Sequence, residues 1–144
     1  MYVYASSNVL SSSAEVEIVV KPNSLENIMV KADRKYMQQV FANLLGNALK
    51  YSKDNGFIHI DLSRIGNQVM VEVIDDGIGI AEEHLDRIFD RFYRIDPSRN
   101  RKAGGSGIGL SLVKHILEAH GQLIQVRSEL GKGSNFNFLL DIVE

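Results

Sequence analysis

Asn43, Asn47 and Lys50 stand at i, i+4 and i+7, a spacing that puts two amides and an ammonium on one stripe of a helix. Amide oxygens are hard ligands suited to magnesium, and an ammonium beside them suits a polyphosphate; a solvated helix face would carry the same trio. Downstream, Asp75-Asp76-Gly77-Ile78-Gly79 follows an apolar strand end. Asp and Gly form turns on their own account. Glycine at alternate positions also suits a backbone that passes close to a flat or bulky neighbour, and the carboxylate ahead of it can accept a hydrogen bond from an exocyclic amine. A second glycine run, Gly104-Gly105-Ser106-Gly107-Ile108-Gly109-Leu110, opens directly into a helical pattern. Free N–H groups at such a helix start, with the positive end of the dipole behind them, make a phosphate cradle. Between the two loops, Arg94, Arg99, Arg101 and Lys102 lie in or beside a stretch too polar to bury, the composition of a mobile cover over a phosphate chain.

These residues need elements to hold them. Residues 1–14 are serine-rich without a sustained period and read as a linker, a trimmed helix end or vector-derived residues. From Glu15, Val16, Ile18 and Val20 alternate as in a strand, Pro22-Asn23-Ser24 makes a turn, and Ile28-Met29-Val30 is a short second strand. Asp33 reads as an N-cap. Met37, Val40, Phe41, Leu44, Leu45, Ala48 and Leu49 recur at helical spacing, which predicts an amphipathic helix over 34–52. Ile58, Ile60 and Leu62 alternate with polar residues, and Gly66-Asn67 turns the chain into Val69–Ile74, predicting an antiparallel hairpin. Helices are expected over 81–92 and 108–120, the second stopped by Gly121, with two last strands around Gly131-Lys132-Gly133. Phe89 and Phe92, three apart on the first of these, are expected in the core. The sum is one α+β domain over 15–144, a two-layer α/β sandwich with a mixed sheet of about five strands and three main helices on one face.

Composition narrows the function classes. A chain of 144 residues, 44% hydrophobic and 24% charged, can bury one core. Cysteine is absent, so disulfides, thiolate zinc sites and a cysteine nucleophile are excluded, in keeping with a reducing compartment. A net charge of -2 gives no global pull toward nucleic acid or anionic membrane, and no apolar run approaches the roughly 20 residues of a membrane helix. A cytoplasmic setting is expected, whether or not a parent protein carries a membrane anchor. The glycine run follows a polar loop instead of a strand, against a Rossmann site, and no Walker lysine motif is present.

Taken in order, Asn-x-x-x-Asn, Asp-x-Gly-x-Gly, Phe-x-x-Phe, Gly-x-Gly-x-Gly-Leu and Gly-x-Gly-Ser-x-Phe resemble the N, G1, F, G2 and G3 boxes of sensor histidine kinase catalytic domains. The resemblance covers about residues 30–141 and implies the Bergerat ATP-binding fold, shared with type II topoisomerases and mismatch-repair ATPases. The family stretch Asn-Leu-Leu-x-Asn-Ala-x-Lys-Tyr-Ser stands here as Asn43-Leu44-Leu45-Gly46-Asn47-Ala48-Leu49-Lys50-Tyr51-Ser52. The resemblance implies ATP and Mg2+ as ligands, with Asn47 holding the metal, Lys50 a phosphate and Tyr51 a ring near the adenine. It gives Asp75 the adenine amine, with Gly77, Gly79 and Ile80 shaping the loop against the base. Arg94 matches a lid arginine that reaches the γ-phosphate. Gly105, Ser106, Gly107, Ile108, Gly109 and Leu110 would hold the phosphates, and Gly131, Gly133 and Ser134 would finish the pocket. Ser106 and Ser134 replace a frequent threonine and keep its hydroxyl.

In the ATP-hydrolysing relatives a glutamate at the position of Asn43 activates water. An amide takes no proton at neutral pH, which favours transfer to an imidazole that is already nucleophilic. Asn43, Asn47, Lys50 and Arg94 are thus the expected catalytic set of a protein histidine kinase. His59, His84, His115 and His120 lack the His-Glu-x-x-x-Pro signature of a phosphoacceptor and read as surface or packing residues. The implied partners are a dimerisation and phosphoacceptor domain on the same or a partner kinase chain and a downstream response regulator. No nucleic acid or membrane contact is expected, and the domain alone is expected to be monomeric. The alternatives are a non-catalytic nucleotide-binding or interaction module, and a serine-directed relative, which the Phe-x-x-Phe box and long basic segment fit less well.

Overall fold

The computed structural model describes residues 2–3, 9–11, 17–22, 28–95 and 108–143, with side chains from residue 28 onward. The chain runs β1 (Tyr2–Val3), β2 (Val9–Ser11), β3 (Glu17–Pro22), β4 (Ile28–Met29), α1 (Arg34–Lys50), β5 (Phe57–Ile65), β6 (Gln68–Asp75), α2 (Glu82–Leu85), α3 (Gly109–Ala119), β7 (Gln125–Glu129) and β8 (Gly133–Asp141). A six-stranded mixed sheet has the order β2-β3-β5-β6-β8-β7, and β1 pairs with β4 apart from it. The β3–β5 pair is parallel and the others are antiparallel, so α1 lies on the crossover that parallel pairing requires.

Helix α1 forms where the pattern puts it. The Asp33 side chain accepts the Tyr36 N–H at 3.1 Å, and Met37, Val40, Leu44 and Ala48 are buried along one stripe. Its end comes at Lys50, two residues short of the expected 52. Alternation does the same for the hairpin: Ile58, Ile60 and Leu62 of β5 and Val69, Val71 and Val73 of β6 face inward. They meet Phe136, Phe138 and Leu140 of β8, over which Val113, Ile116 and Leu117 of α3 close the core. Phe41 of α1 lies 6.1 Å from the Phe138 ring. His120, at the C-cap of α3, donates from Nδ1 to the Ile116 carbonyl at 2.8 Å, which leaves Nε2 to accept the Asp33 N–H at 3.0 Å. One imidazole thus ties the end of α3 to the start of α1.

Three expectations change. The helix over 81–92 is only Glu82–Leu85; beyond it the N–H groups of Arg87 and Asp90 bond carbonyls three residues back, and the chain continues as tight turns. Those turns keep Ile88 and Phe89 on the core, where Phe89 meets Phe136 edge-on, but they swing Phe92 out. Phe92 is 60% exposed with φ of +66°, so its expected core position is corrected. Finally, the stretch before residue 15 contributes two short strands, and β2 is the sixth of the sheet. Two- and three-residue pairings rest on backbone hydrogen bonds and leave no periodic trace in the side chains.

Candidate functional site

The site is built where β6 ends. Strand alternation sends the two adjacent carboxylates to opposite sides. Asp75 points inward, is only 6% exposed, and accepts the Gly77 N–H at 2.9 Å. Burial pushes its pKa up; the backbone N–H groups of Gly77 and Ser134 pull it back, and the neighbouring Asp76 adds to the rise. Asp76 is spent on structure: one oxygen accepts the Phe57 N–H at 2.8 Å and the other lies 3.5 Å from Lys53 Nζ. A turn alone would not need a buried carboxylate, so the pair divides into one structural acid and one that faces the interior unneutralised.

Glycines let the loop after Asp75 be clamped from both sides. A side chain at Gly77 would begin 2.2 Å from the Tyr51 carbonyl oxygen, and the Ile78 N–H donates to that same carbonyl at 3.0 Å. At Gly79, φ is +74° and a Cβ would fall 2.1 Å from the Glu129 carbonyl. The close neighbour each glycine accommodates is therefore the chain's own backbone. Opposite them, the β7–β8 turn is held by a residue the sequence did not single out. Ser128 Oγ accepts the Ile80 N–H at 2.7 Å, donates to the Gly133 carbonyl at 2.8 Å and lies 2.7 Å from Ser134 Oγ. Only its register opposite Ser134 marks it, and register is a long-range fact. Ile80 is buried in the core and Ser134 is buried beside Ser128. Gly131 donates its N–H to the Ile78 carbonyl at 2.9 Å.

The stripe on α1 faces α3. Asn43 donates from Nδ2 to the Gln39 carbonyl at 2.8 Å, and its Oδ1 lies against Gly109, where an added Cβ would come within 3.0 Å of it. Helix α3 starts with Ile108 at the N-cap position, which makes no side-chain cap bond, and among the described residues no side chain takes its first N–H groups. Ile108 is exposed, and Leu110 packs on the core. Asn47 is partly exposed and makes no side-chain hydrogen bond among the described residues. Lys50 lies with Nζ 5.3 Å over the Tyr51 ring. Burial pushes its pKa down, and the approach of Arg94 pushes it further. Among the described residues neither cation has a carboxylate partner, so two like charges converge, an arrangement that an anion would relieve. Gly105, Ser106, Gly107, Arg99, Arg101 and Lys102, expected around that anion, lie outside the described residues.

Brought together, then, are a buried carboxylate, two amides, two cations and an uncapped helix start. The donor set fits a magnesium-bound nucleoside triphosphate: an acceptor for an amine at one end and excess positive charge with amide oxygens at the other.

Comparison with known proteins gives the same direction. Residues 32–144 match the family described as histidine kinase-, DNA gyrase B-, and HSP90-like ATPase. The chain is 39% identical over 132 residues to the sensor-like histidine kinase SenX3 of Mycobacterium tuberculosis, covering 92% of this chain and 32% of that protein. It is 40% identical over 114 residues to the signal transduction histidine-protein kinase ArlS of Staphylococcus aureus, covering 79% of this chain and 25% of that one. It thus spans about a third or less of these relatives. Among solved structures, the catalytic domain of histidine kinase ThkA superposes with a TM-score of 0.74 at 29% identity, covering 89% of this chain and 80% of that one. Full-length ShkA in complex with AMPPNP superposes with a TM-score of 0.75 at 31% identity, covering 89% of this chain and 26% of that one.

Proposed function

The chain belongs to the family of histidine kinase-, DNA gyrase B- and HSP90-like ATPases, and on that footing we propose that it is the ATP-binding catalytic domain of a two-component sensor histidine kinase. It transfers the γ-phosphate of Mg-ATP to a histidine on a separate dimerisation domain, from which a response regulator takes it. Its core is residues 15–144, to whose sheet β2 (Val9–Ser11) adds an edge strand. The observation that carries this reading is the meeting of the Asp75 loop and α1 at Tyr51: the loop after the buried Asp75 packs on the Tyr51 carbonyl, and Lys50, approached by Arg94, lies over the Tyr51 ring.

Each residue has a role in that reading. Asp75 accepts the adenine amine, in a loop shaped by Gly77 and Gly79. Asn47 would hold a magnesium ion, which would supply charge neutralisation on the phosphates. Lys50 binds a phosphate oxygen and Arg94 the γ-phosphate, and the N–H groups at the start of α3, with Gly105–Leu110, cradle the chain of phosphates. Asn43, an amide bound to Gln39, takes no proton from water, so the site positions and neutralises without activating a competing nucleophile.

The test supplies γ-labelled ATP, magnesium and a panel of histidine phosphoacceptor dimers. The parent should place acid-labile label on at least one of them. Asn47→Ala should bind nucleotide more weakly and lose transfer, because the amide oxygen for the metal is gone. Transfer by Asn47→Ala at the parent rate would overturn the metal assignment, and a parent that labels no acceptor would overturn the kinase reading.

A further inference from the structure

A small cluster beyond the pocket lies directly behind Arg94. Tyr93 is partly buried against the core, as is Ile95, so Arg94 is flanked on both sides by anchored residues. Tyr93 is fixed in three ways. Its phenol hydrogen-bonds His84 Nδ1. Its ring carries the Arg87 guanidinium 4.8 Å from the centroid. Its N–H donates to the Asp90 carbonyl at 3.2 Å. Arg87 is itself held 3.5 Å from the Asp90 carboxylate. The imidazole is oriented from behind, since Glu83 Oε1 lies 3.5 Å from Nε2. In the tautomer that carries its proton on Nε2, facing Glu83, Nδ1 accepts the phenol O–H.

We propose that His84 is a positioning residue for phosphate recognition: by accepting the Tyr93 hydroxyl it fixes the backbone at Tyr93 and so sets the direction in which Arg94 enters the site. The positive φ of the preceding Phe92, +66°, gives this anchor its purpose. A strained, solvent-exposed residue on one side would let the segment drift unless the next residue were held. The Glu83-His84-Tyr93 chain supplies that hold from α2 (Glu82–Leu85), a four-residue helix with no buried residue of its own.

The inference rests on the reading of Arg94 as the γ-phosphate contact, and the experiment separates the two. Mg-ATP and Mg-ADP affinities are measured by calorimetry on the 144-residue parent, His84→Ala, His84→Asn, Tyr93→Phe, the His84→Ala/Tyr93→Phe pair, and Arg94→Ala. ADP lacks the group Arg94 reads. His84→Ala and Tyr93→Phe should each weaken ATP by about three- to tenfold while moving ADP by less than about twofold, and the pair should cost no more than either alone. Asparagine carries an amide oxygen where histidine carries Nδ1, so His84→Asn should recover ATP binding. A loss of ATP and ADP affinity alike would make the contact merely structural and overturn the proposal. So would parent-like ATP binding by Tyr93→Phe, which keeps the ring under Arg87 and does not depend on His84→Ala folding. If Arg94→Ala closes the gap between ATP and ADP while the His84 and Tyr93 variants do not, the positioning role fails and the site reading stands. If Arg94→Ala leaves the gap open, both fail.

Discussion

Asp75 carries its carboxylate in surroundings that disfavour the charge. Its carboxylate is buried and its pKa raised, chiefly by that burial. A raised folded-state pKa means the linked stability is fully present below the ordinary carboxylate value and is lost as pH rises through the higher one. At neutral pH the charge is therefore a cost. Asp75→Asn keeps an oxygen for the Gly77 N–H and removes that charge, so thermal melts at pH 7 should show the variant at least as stable as the parent. The difference should disappear below about pH 4, where the parent carboxyl is protonated. Binding should move the other way. A hydrogen bond to a charged group contributes roughly 1.5–3 kcal/mol, so Asp75→Asn should weaken ATP by about 10- to 150-fold. Guanine presents a carbonyl where adenine presents an amine, so the parent should bind GTP poorly and the variant should narrow that gap, since an asparagine amide can rotate to donate. Asp76→Asn retains an acceptor for the Phe57 N–H and should cost much less. Calorimetry with both nucleotides checks all of this; an Asp76→Asn variant that loses ATP while Asp75→Asn keeps it would exchange the two roles.

Among the elements, α1 and the β5–β6 hairpin were legible because their positions report on neighbours close in sequence. Asp33 caps three residues ahead, and inward residues alternate over a two-residue turn. The α2 region lacks such a local signal. Leu85, Ile88 and Phe89 reach the core equally well from a helix or from successive tight turns, so spacing could not distinguish them. Ser128 escaped because its importance lies in what it meets across the β7–β8 pair, not in its own type. Glycines divide in the same manner. Gly46 lies on the exposed face of α1 with nothing near its missing Cβ, so Gly46→Ala should stabilise the domain by about 0.5–1 kcal/mol. Gly79→Ala, at positive φ and against the Glu129 carbonyl, should destabilise by at least about 1–2 kcal/mol and loosen the loop after Asp75 with it. Urea titrations of the two variants should move in opposite directions; equal shifts would mean that the clamp at Gly79 yields freely.

At the scale of the molecule, the helices close one face of a sheet whose other face is largely polar, where Asn135 donates to Glu72 at 2.8 Å and Phe57 stacks on His59. No helix among the described residues is long and apolar enough to cross a membrane. Three of the chain's four histidines have structural partners: His120 ties α3 to α1, His84 bonds Tyr93 and His59 stacks on Phe57, while His115 is exposed on α3. Under the proposed function the phosphate donor and its acceptor lie on separate domains. The most direct test follows where the labelled γ-phosphate goes when the chain, Mg-ATP and an accepted phosphoacceptor dimer are mixed, partitioning the label among acceptor histidine, this chain and inorganic phosphate. The predicted result is acid-labile label on the acceptor, none on the chain, and little free phosphate in the absence of acceptor. Acid-labile phosphohistidine on the chain itself, or rapid release of inorganic phosphate without any acceptor, would contradict it.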